Sequence, residues 1–232
     1  MNFIYNLAIS AYSLGAKIAS KNNEKIGKMI AGQARTFAVL KEHCAEMAGC
    51  IWIHSASLGE FEQGRPLIER IRHEQPDAKI LLTFFSPSGY EVRKGYKGAD
   101  LVCYLPFDTP HNVSRFLDLA KPRMAVFVKY EFWGNYLHQL KKRGVPTYII
   151  SSIFRRGQSF FRPWGGIFRG MLRCFTHIFV QDENSRALLA GIGVNNVTVA
   201  GDTRFDRVTD ILASNKHFEV LDSFVAATTA RC

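Results

Sequence analysis

The chain has 232 residues, 47% of them hydrophobic and 22% charged, and carries a net charge of +10. A chain of this length and balance supports one large domain, or one and a half smaller ones, without a disulfide or metal staple. The five cysteines, Cys44, Cys50, Cys103, Cys174 and Cys232, are odd in number and form no C-x-x-C pair, so they read as buried thiols of a reduced, cytosolic protein rather than a zinc site.

Residues 3–19 read FIYNLAISAYSLGAKIA. Asn2, Asn6, Ser10, Ser13, Lys17, Lys21, Lys25 and Lys28 recur every three or four positions, which predicts a helix with those residues on one side. Phe3, Ile4, Leu7, Tyr12, Leu14 and Ile18 then occupy the other sides. The run is too short and too striped for a spanning helix, which needs roughly 20 apolar residues, and no basic region precedes it as in a signal peptide. Residues 1–30 are therefore expected to form an amphipathic helix. Such helices commonly pack on their own domain, but the wide apolar arc and the basic end favour a membrane interface with anionic headgroups.

From about residue 50 short apolar runs alternate with helical stretches. The expected strands are CIWIHSA, KILLTFF, LVCYLPF, MAVFVKY, PTYIISS, HIFVQD and VTVAGD. Helices are expected up to about His73, over Tyr90–Tyr96, and over HNVSRFLDLAKP, EFWGNYLHQLKKRG and ENSRALLAGIG. This alternation predicts an α/β fold, a Rossmann-like parallel sheet with helices on both faces. Ligands of such sheets bind beyond the carboxyl ends of the strands. His54 to Gly59, Ser86 to Gly89, Lys129 to Glu131, Ser151, Ser152 and Gln181 to Glu183 fall there. No G-x-G-x-x-G, Walker A loop, Asp-x-Asp pair or histidine ligand spacing is present, so neither a metal nor a cofactor is expected.

No acidic residue separates Glu131 from Asp182, an interval that holds Lys141, Lys142, Arg143, Arg155, Arg156, Arg162, Arg169 and Arg173. Such a one-signed stretch makes a positive field that attracts phosphates, nucleic acid or anionic lipid; a merely solvated basic surface is an equal alternative. Ser57-Leu-Gly-Glu60 is a capping-box pattern, which on spacing alone reads as a helix start. Pro66, eight residues after Leu58, predicts a late start or a kink.

Three segments together resemble the bacterial 3-deoxy-D-manno-octulosonic acid (Kdo) transferases, in the order of that family. They are HSASLGEFEQGRPLIERI, LPFDTPHNVSRFLDLAKPRMAVFVKYEFWGNYL and IFVQDENSRALLAGIGVNNVTVAGDTRFD. The resemblance implies the N-terminal, acceptor-binding lobe of a two-lobed GT-B glycosyltransferase that moves Kdo from CMP-Kdo to a lipid A precursor, with inversion and without a metal. It further implies residues 1–30 as a membrane-associating helix, 31–206 as the acceptor-binding domain, and 207–232 as a linker and the start of a truncated donor lobe. A fragment of this kind is expected to be inactive alone, and to sit at the cytoplasmic face of the inner membrane, peripherally or anchored by its N-terminus.

The resemblance assigns Glu60 as the general base that takes the acceptor hydroxyl's proton. Ser57, Gly59, Ser86, Lys129, Glu131, Arg155, Arg156 and Arg162 are implied as acceptor-binding residues. Lys129 and Gly134 depart from the family pattern, which often has an acidic residue and a proline there. The basic stretch interleaves Phe154, Phe160, Phe161, Trp164, Phe168 and Phe175, suiting a phosphorylated, acylated glucosamine disaccharide. Asp182 and Asp206 are expected to cap helices or fix a hinge. The competing readings are a basic α/β module that binds nucleic acid or anionic lipid without catalysis, for which no nucleic-acid motif is visible, and a sugar-nucleotide epimerase. On the first reading the partners are a lipid A precursor, CMP-Kdo and the inner-membrane surface, with no nucleic acid.

Overall fold

A computed structural model of the chain describes residues 3–202. The expected linker and donor-lobe start at 207–232, with Asp206, Asn2 and Cys232, lies outside the described residues. Seven strands form one parallel sheet: β1 (Ile51–Ser55), β2 (Ile80–Phe84), β3 (Leu101–Tyr104), β4 (Met124–Val128), β5 (Thr147–Ser152), β6 (His177–Val180) and β7 (Val197–Val199). Their order is β3-β2-β1-β4-β5-β6-β7, so the α/β reading holds. Every residue of β1 and β2 is buried, as strands covered on both faces require.

Right-handed crossovers set which face each helix covers. Helices α4 (Leu58–Glu74) and α5 (Pro87–Arg93) follow β1 and β2, and α4 brings Phe61, Ile68 and Ile71 against Ile51, Ile53, Ile80 and Leu82. Helices α6 (Pro110–Ala120), α7 (Gly134–Lys142), α8 (Gly166–Leu172) and α9 (Glu183–Ala190) follow β3 to β6. They form the larger core on the opposite face. At its centre Trp52 packs on Phe116, Phe127 and Tyr136 with ring centroids 4.9, 5.2 and 5.5 Å away; truncating a ring buried this way costs about 3–5 kcal/mol.

Helix starts follow local chemistry. Ser86, Thr109 and Asp182 cap α5, α6 and α9 through side-chain oxygens, and Pro87 and Pro110 occupy first turns, where a missing N–H costs nothing. Asp182 thus has the capping role expected of it. Pro66 neither delays nor ends its helix: α4 begins at Leu58 and runs through it, because the buried Phe61, Ile68 and Ile71 on either side outweigh one lost hydrogen bond. Glu131 to Trp133, expected as helix, form a loop, and α7 starts at Gly134.

The N-terminal region also differs from the expected single helix. It consists of α1 (Phe3–Ala19), α2 (Glu24–Glu42) and the short α3 (Cys44–Met47). The break comes where Asn23 accepts the Ile26 N–H and starts α2 anew. Helix α2 closes over β3: Thr36 donates to the Tyr104 carbonyl at 2.8 Å, and Leu40 joins the large core. On α1 the inward side holds Tyr5, Asn6, Ile9, Ser13 and Ala16. Asn6 and Ser13, placed by periodicity on an outer polar stripe, therefore face the protein, where Asn135 donates to Asn6 at 2.9 Å. Phe3, Ile4, Leu7, Leu14 and Ile18 stay 60–78% exposed. Among the described residues no helix is long and apolar enough to cross a membrane.

Candidate functional site

The strand order reverses direction between β1 and β4, which are hydrogen-bonded neighbours. A crevice outside the carboxyl ends of such a pair is where open α/β sheets bind ligands. Glu60 leaves β1 through the first turn of α4, and Glu131 leaves β4 through the loop before α7. Gly64 draws the helix that carries Glu60 tightly onto both strands. A Cβ there would meet Val128 Cγ2 at 2.9 Å and Ser55 Oγ at 3.6 Å, so no larger residue permits this approach.

Glu60 is half-buried. Its Oε2 accepts the Ser57 backbone N–H at 2.7 Å and the Ser57 hydroxyl at 2.8 Å. That is the carboxylate half of a capping box, so the capping reading of this motif is geometrically real. It occupies one oxygen only; Oε1 has no hydrogen-bond partner among the described residues. Capping and base chemistry are therefore compatible in one side chain. Gly59 is exposed at the mouth of the turn.

Glu131 is held from further away. Its Oε2 accepts from Trp133 Nε1 at 2.6 Å and faces His54 Nε2 at 3.2 Å. Glu131 precedes Trp133, the N-cap of α7, by two residues, and among the described residues it accepts no backbone N–H of that helix. The start of α7 is held by Asp108, which is fully buried in the loop after β3 and accepts from the Asn135 N–H, the Tyr136 N–H and the Tyr5 hydroxyl at 2.9, 2.9 and 2.6 Å. Burial pushes the Asp108 carboxyl up to about 6, against the pull of those three donors. Burial, with the carboxylate beside it, drives the Tyr5 phenol far up, so it remains a donor. The start of α7 and helix α1 are thereby joined through one carboxylate.

Lys129 and Ser151 adopt φ of +68° and +57° at the exits of β4 and β5. Left-handed backbone costs a residue with a Cβ about 1–2 kcal/mol. Here the Lys129 N–H bonds the Ile150 carbonyl at 2.9 Å and Ser152 Oγ donates to the Lys129 carbonyl at 3.1 Å. Two successive strained exits beside Glu131 bend both chains at the crevice rim.

Ser86 lies at the end of β2, where its amide bonds the Ala56 carbonyl at 2.7 Å and its hydroxyl accepts the Ser88 N–H at 3.3 Å. It caps α5, and the structure gives its hydroxyl that local bond. The basic stretch divides. Arg169 donates to the carbonyls of Phe160, Arg162 and Pro163, and Lys141 to that of Arg173. Arg143 pairs with Asp118 at 2.8 Å. These three brace the protein and do not face a ligand. Arg155, Arg156 and Arg162 are exposed in the loop after β5, on the same edge of the sheet as the two glutamates. That loop is seated by Phe160 against Phe132, with centroids 4.8 Å apart.

The family described as 3-Deoxy-D-manno-octulosonic-acid transferase (kdotransferase) matches residues 24–207. The chain belongs to this family. It is similar to a 3-deoxy-D-manno-octulosonic acid transferase of Haemophilus influenzae, at 30% identity over 166 residues, or 69% of this chain and 38% of that protein. A transferase of the same description from Aquifex aeolicus is 38% identical over 113 residues, covering 48% of this chain and 30% of its own length. The chain thus spans well under half the length of these curated relatives. A solved UDP-GlcNAc 2-epimerase from Neisseria meningitidis, bound to UDP-GlcNAc, superimposes with a TM-score of 0.53 at 16% identity over 71% of this chain and 50% of that one. That likeness concerns the fold alone, and agrees with the Rossmann-like lobe expected of the kdotransferase family.

Thr83, Trp133 and Asp108 were not singled out as site residues by sequence, and His54 was placed at a strand end without a role. The available signal was a polar ring inside the buried strand IWIHS; its partners lie 29 and 77 residues away, beyond the reach of any local pattern.

Proposed function

We infer that this chain supplies the acceptor-binding part of a glycosyltransferase of lipopolysaccharide synthesis, one that moves Kdo from CMP-Kdo to the lipid A precursor lipid IVA. Glu60 acts as general base. Its Oε1 takes the proton of the acceptor sugar hydroxyl as that oxygen bonds to the anomeric carbon of Kdo. The bond from that carbon to the CMP phosphate oxygen breaks, and its electron pair leaves with CMP. Attack opposite the leaving group inverts the anomeric centre, and the step needs no metal. The donor-binding lobe belongs to the remainder of the enzyme, so this chain alone is inactive.

The observation that carries this reading is the pair of glutamates at the β1–β4 crevice in a member of the kdotransferase family, each with one carboxylate oxygen bonded and the other unpartnered among the described residues. The surroundings suit a lipid acceptor. Helix α1 turns Phe3, Leu7, Leu14 and Ile18 outward, as an interfacial helix does. From its Tyr12 a run of ring contacts passes through Phe107 and Phe85 to Trp133, with centroids 5.6, 5.8 and 4.8 Å apart. Acyl chains would lie along α1 at the cytoplasmic face of the inner membrane while the sugar reaches the crevice. The guanidinium forks of Arg155, Arg156 and Arg162 would receive its phosphates, with Ser57, Gly59, Ser86 and Lys129 at the rim.

The test is transfer by the complete enzyme, supplied with CMP-Kdo and lipid A precursor and followed by the mass of the lipid. Wild type is expected to add Kdo, and Glu60→Gln to lose about 10²–10⁴-fold in rate, the usual worth of a general base. Undiminished transfer by Glu60→Gln would return this residue to capping alone. Charge reversal at Arg155 and Arg156 should weaken acceptor binding; unchanged binding would remove the arginines from the site.

A further inference from the structure

His54 is completely buried on β1, directly opposite Thr83 in the β1–β2 register. A polar side chain so placed must have its hydrogen bonds met, and the donor inventory around it fixes where the hydrogens lie. Trp52 Nε1 can only donate, and it does so to Thr83 Oγ1 at 2.8 Å. The Thr83 hydroxyl keeps one hydrogen of its own, and His54 Nδ1 stands 2.9 Å from that oxygen. If Thr83 donates to Nδ1, the ring hydrogen sits on Nε2 and is directed at Glu131 Oε2, 3.2 Å away. Every donor in the chain Trp52–Thr83–His54–Glu131 then has an acceptor, with no extra proton.

The opposite tautomer sends Nδ1–H to the Thr83 carbonyl at 3.1 Å. It sets the bare lone pair of Nε2 against a carboxylate oxygen, a repulsion that a low-dielectric interior magnifies. It also leaves the Thr83 hydroxyl hydrogen without that acceptor. The first arrangement is therefore the one the network selects.

We propose that His54 is the positioning residue of Glu131. Its Nε2–H and the Trp133 Nε1–H together saturate Oε2, so the carboxylate cannot rotate and Oε1 faces the crevice as a fixed acceptor. Its partner there is a hydroxyl or amide N–H donor of the acceptor sugar. Thr83 on β2 and Trp52 on β1 set the tautomer that makes this possible. The same logic, an outer partner fixing ring orientation and hydrogen position, governs histidines that serve metal sites and catalytic triads.

The assignment of the sugar rests on the acceptor-site reading above, whereas the hydrogen assignment does not, and the experiment separates them. Imidazole nitrogen NMR of this chain, labelled at histidine, should show the His54 hydrogen on Nε2 with Nδ1 bare. Thr83→Val, which keeps the shape but removes the hydroxyl, should shift that hydrogen toward Nδ1. In the complete enzyme His54→Gln, which keeps an amide N–H near the Nε2 position, should retain most of the transfer activity. His54→Leu should lose about 10–100-fold, as removal of a hydrogen bond to a charged group predicts. Should His54→Leu not fold, Trp133→Phe removes the other donor to the same oxygen and should show a loss of that order. A wild-type hydrogen on Nδ1, or equal losses in the Gln and Leu variants, would overturn the proposal. Absence of transfer by wild type would overturn the transferase reading while leaving the NMR result to decide the role of His54.

Discussion

The chain leaves β1 and β4 side by side, and only the second exit draws on distant parts of the chain. At the β1 exit Glu60 is bonded by Ser57, three residues away, within one helical turn. At the β4 exit Glu131 is bonded by Trp133, two residues away, but also by His54, 77 residues away, and the helix that follows is started by Asp108, 27 and 28 residues away. A local brace forms whenever the helix forms, and its removal leaves the rest of the sheet unchanged. A long-range brace exists only in the finished fold, so its removal is felt in several elements at once. The difference suits the roles proposed: a base beside a turn, and an acceptor group whose direction must be constant.

Asp108→Ala should show the largest effect on stability. It strands two buried amides and the Tyr5 hydroxyl, at about 1–3 kcal/mol for each group left unpaired, and a total of about 3–5 kcal/mol is expected in urea unfolding. A loss under about 1 kcal/mol would mean that α7 and α1 do not depend on this carboxylate, and the contrast between the exits would fail.

The pH dependence comes next. The Asp108 carboxyl lies at about 6 in the folded protein, against about 3.9 in an unfolded chain. The folded state thus holds this proton more tightly. The contribution is complete below about pH 4 and is lost as pH rises through 6, a difference of about 3 kcal/mol. Unfolding free energies of wild type and Asp108→Asn, compared from pH 4 to pH 7, should diverge across that window. Parallel curves would contradict the assignment.

The β1 exit should respond weakly. Ser57→Ala removes the hydroxyl bond to Glu60 but keeps the backbone one, and a loss of about 1 kcal/mol is expected by thermal melting. A loss as large as that at Asp108 would erase the distinction between local and long-range braces. The smallest effect belongs to Ser55→Ala. The Ser55 hydroxyl is buried with no hydrogen-bond partner among the described residues, so its removal should change stability by less than about 0.5 kcal/mol or raise it. A marked loss would reveal a partner at the tip of β1.

Much of this molecule was legible in local pattern. The runs IWIHS, ILLTF and MAVFV read as buried strands, and Ser57 and Asp182 announce helix starts by the chemistry of their own side chains. Where reading failed, a distant partner had overridden a local rule. Pro66 sits inside α4 because the sheet beneath holds that helix. Glu131 lies in a loop because Asp108, and no residue of the adjoining segment, caps α7. Asn6 of α1 points inward because Asn135 donates to it there, and Tyr5 beside it bonds Asp108, which no periodicity encodes. Three of the eight bases in the acid-free stretch, Lys141, Arg143 and Arg169, brace the protein for the same reason: charge is visible in sequence, but the carbonyls and the carboxylate they meet are not.

By itself the sequence determined the parallel α/β sheet, the strand ends that carry the candidate site, the kdotransferase motifs and the capping of Glu60, since these depend on residues close together in the chain or on their order along it. Only the tertiary structure decided that Glu131 answers to His54 and Trp133, that Asp108 joins α1 to α7, and that Arg155, Arg156 and Arg162 stay exposed while Arg169 does not. The physical reason is that hydrogen bonds to buried groups are chosen by sheet register and helix packing, and two residues 77 positions apart become neighbours only when β1 and β4 pair.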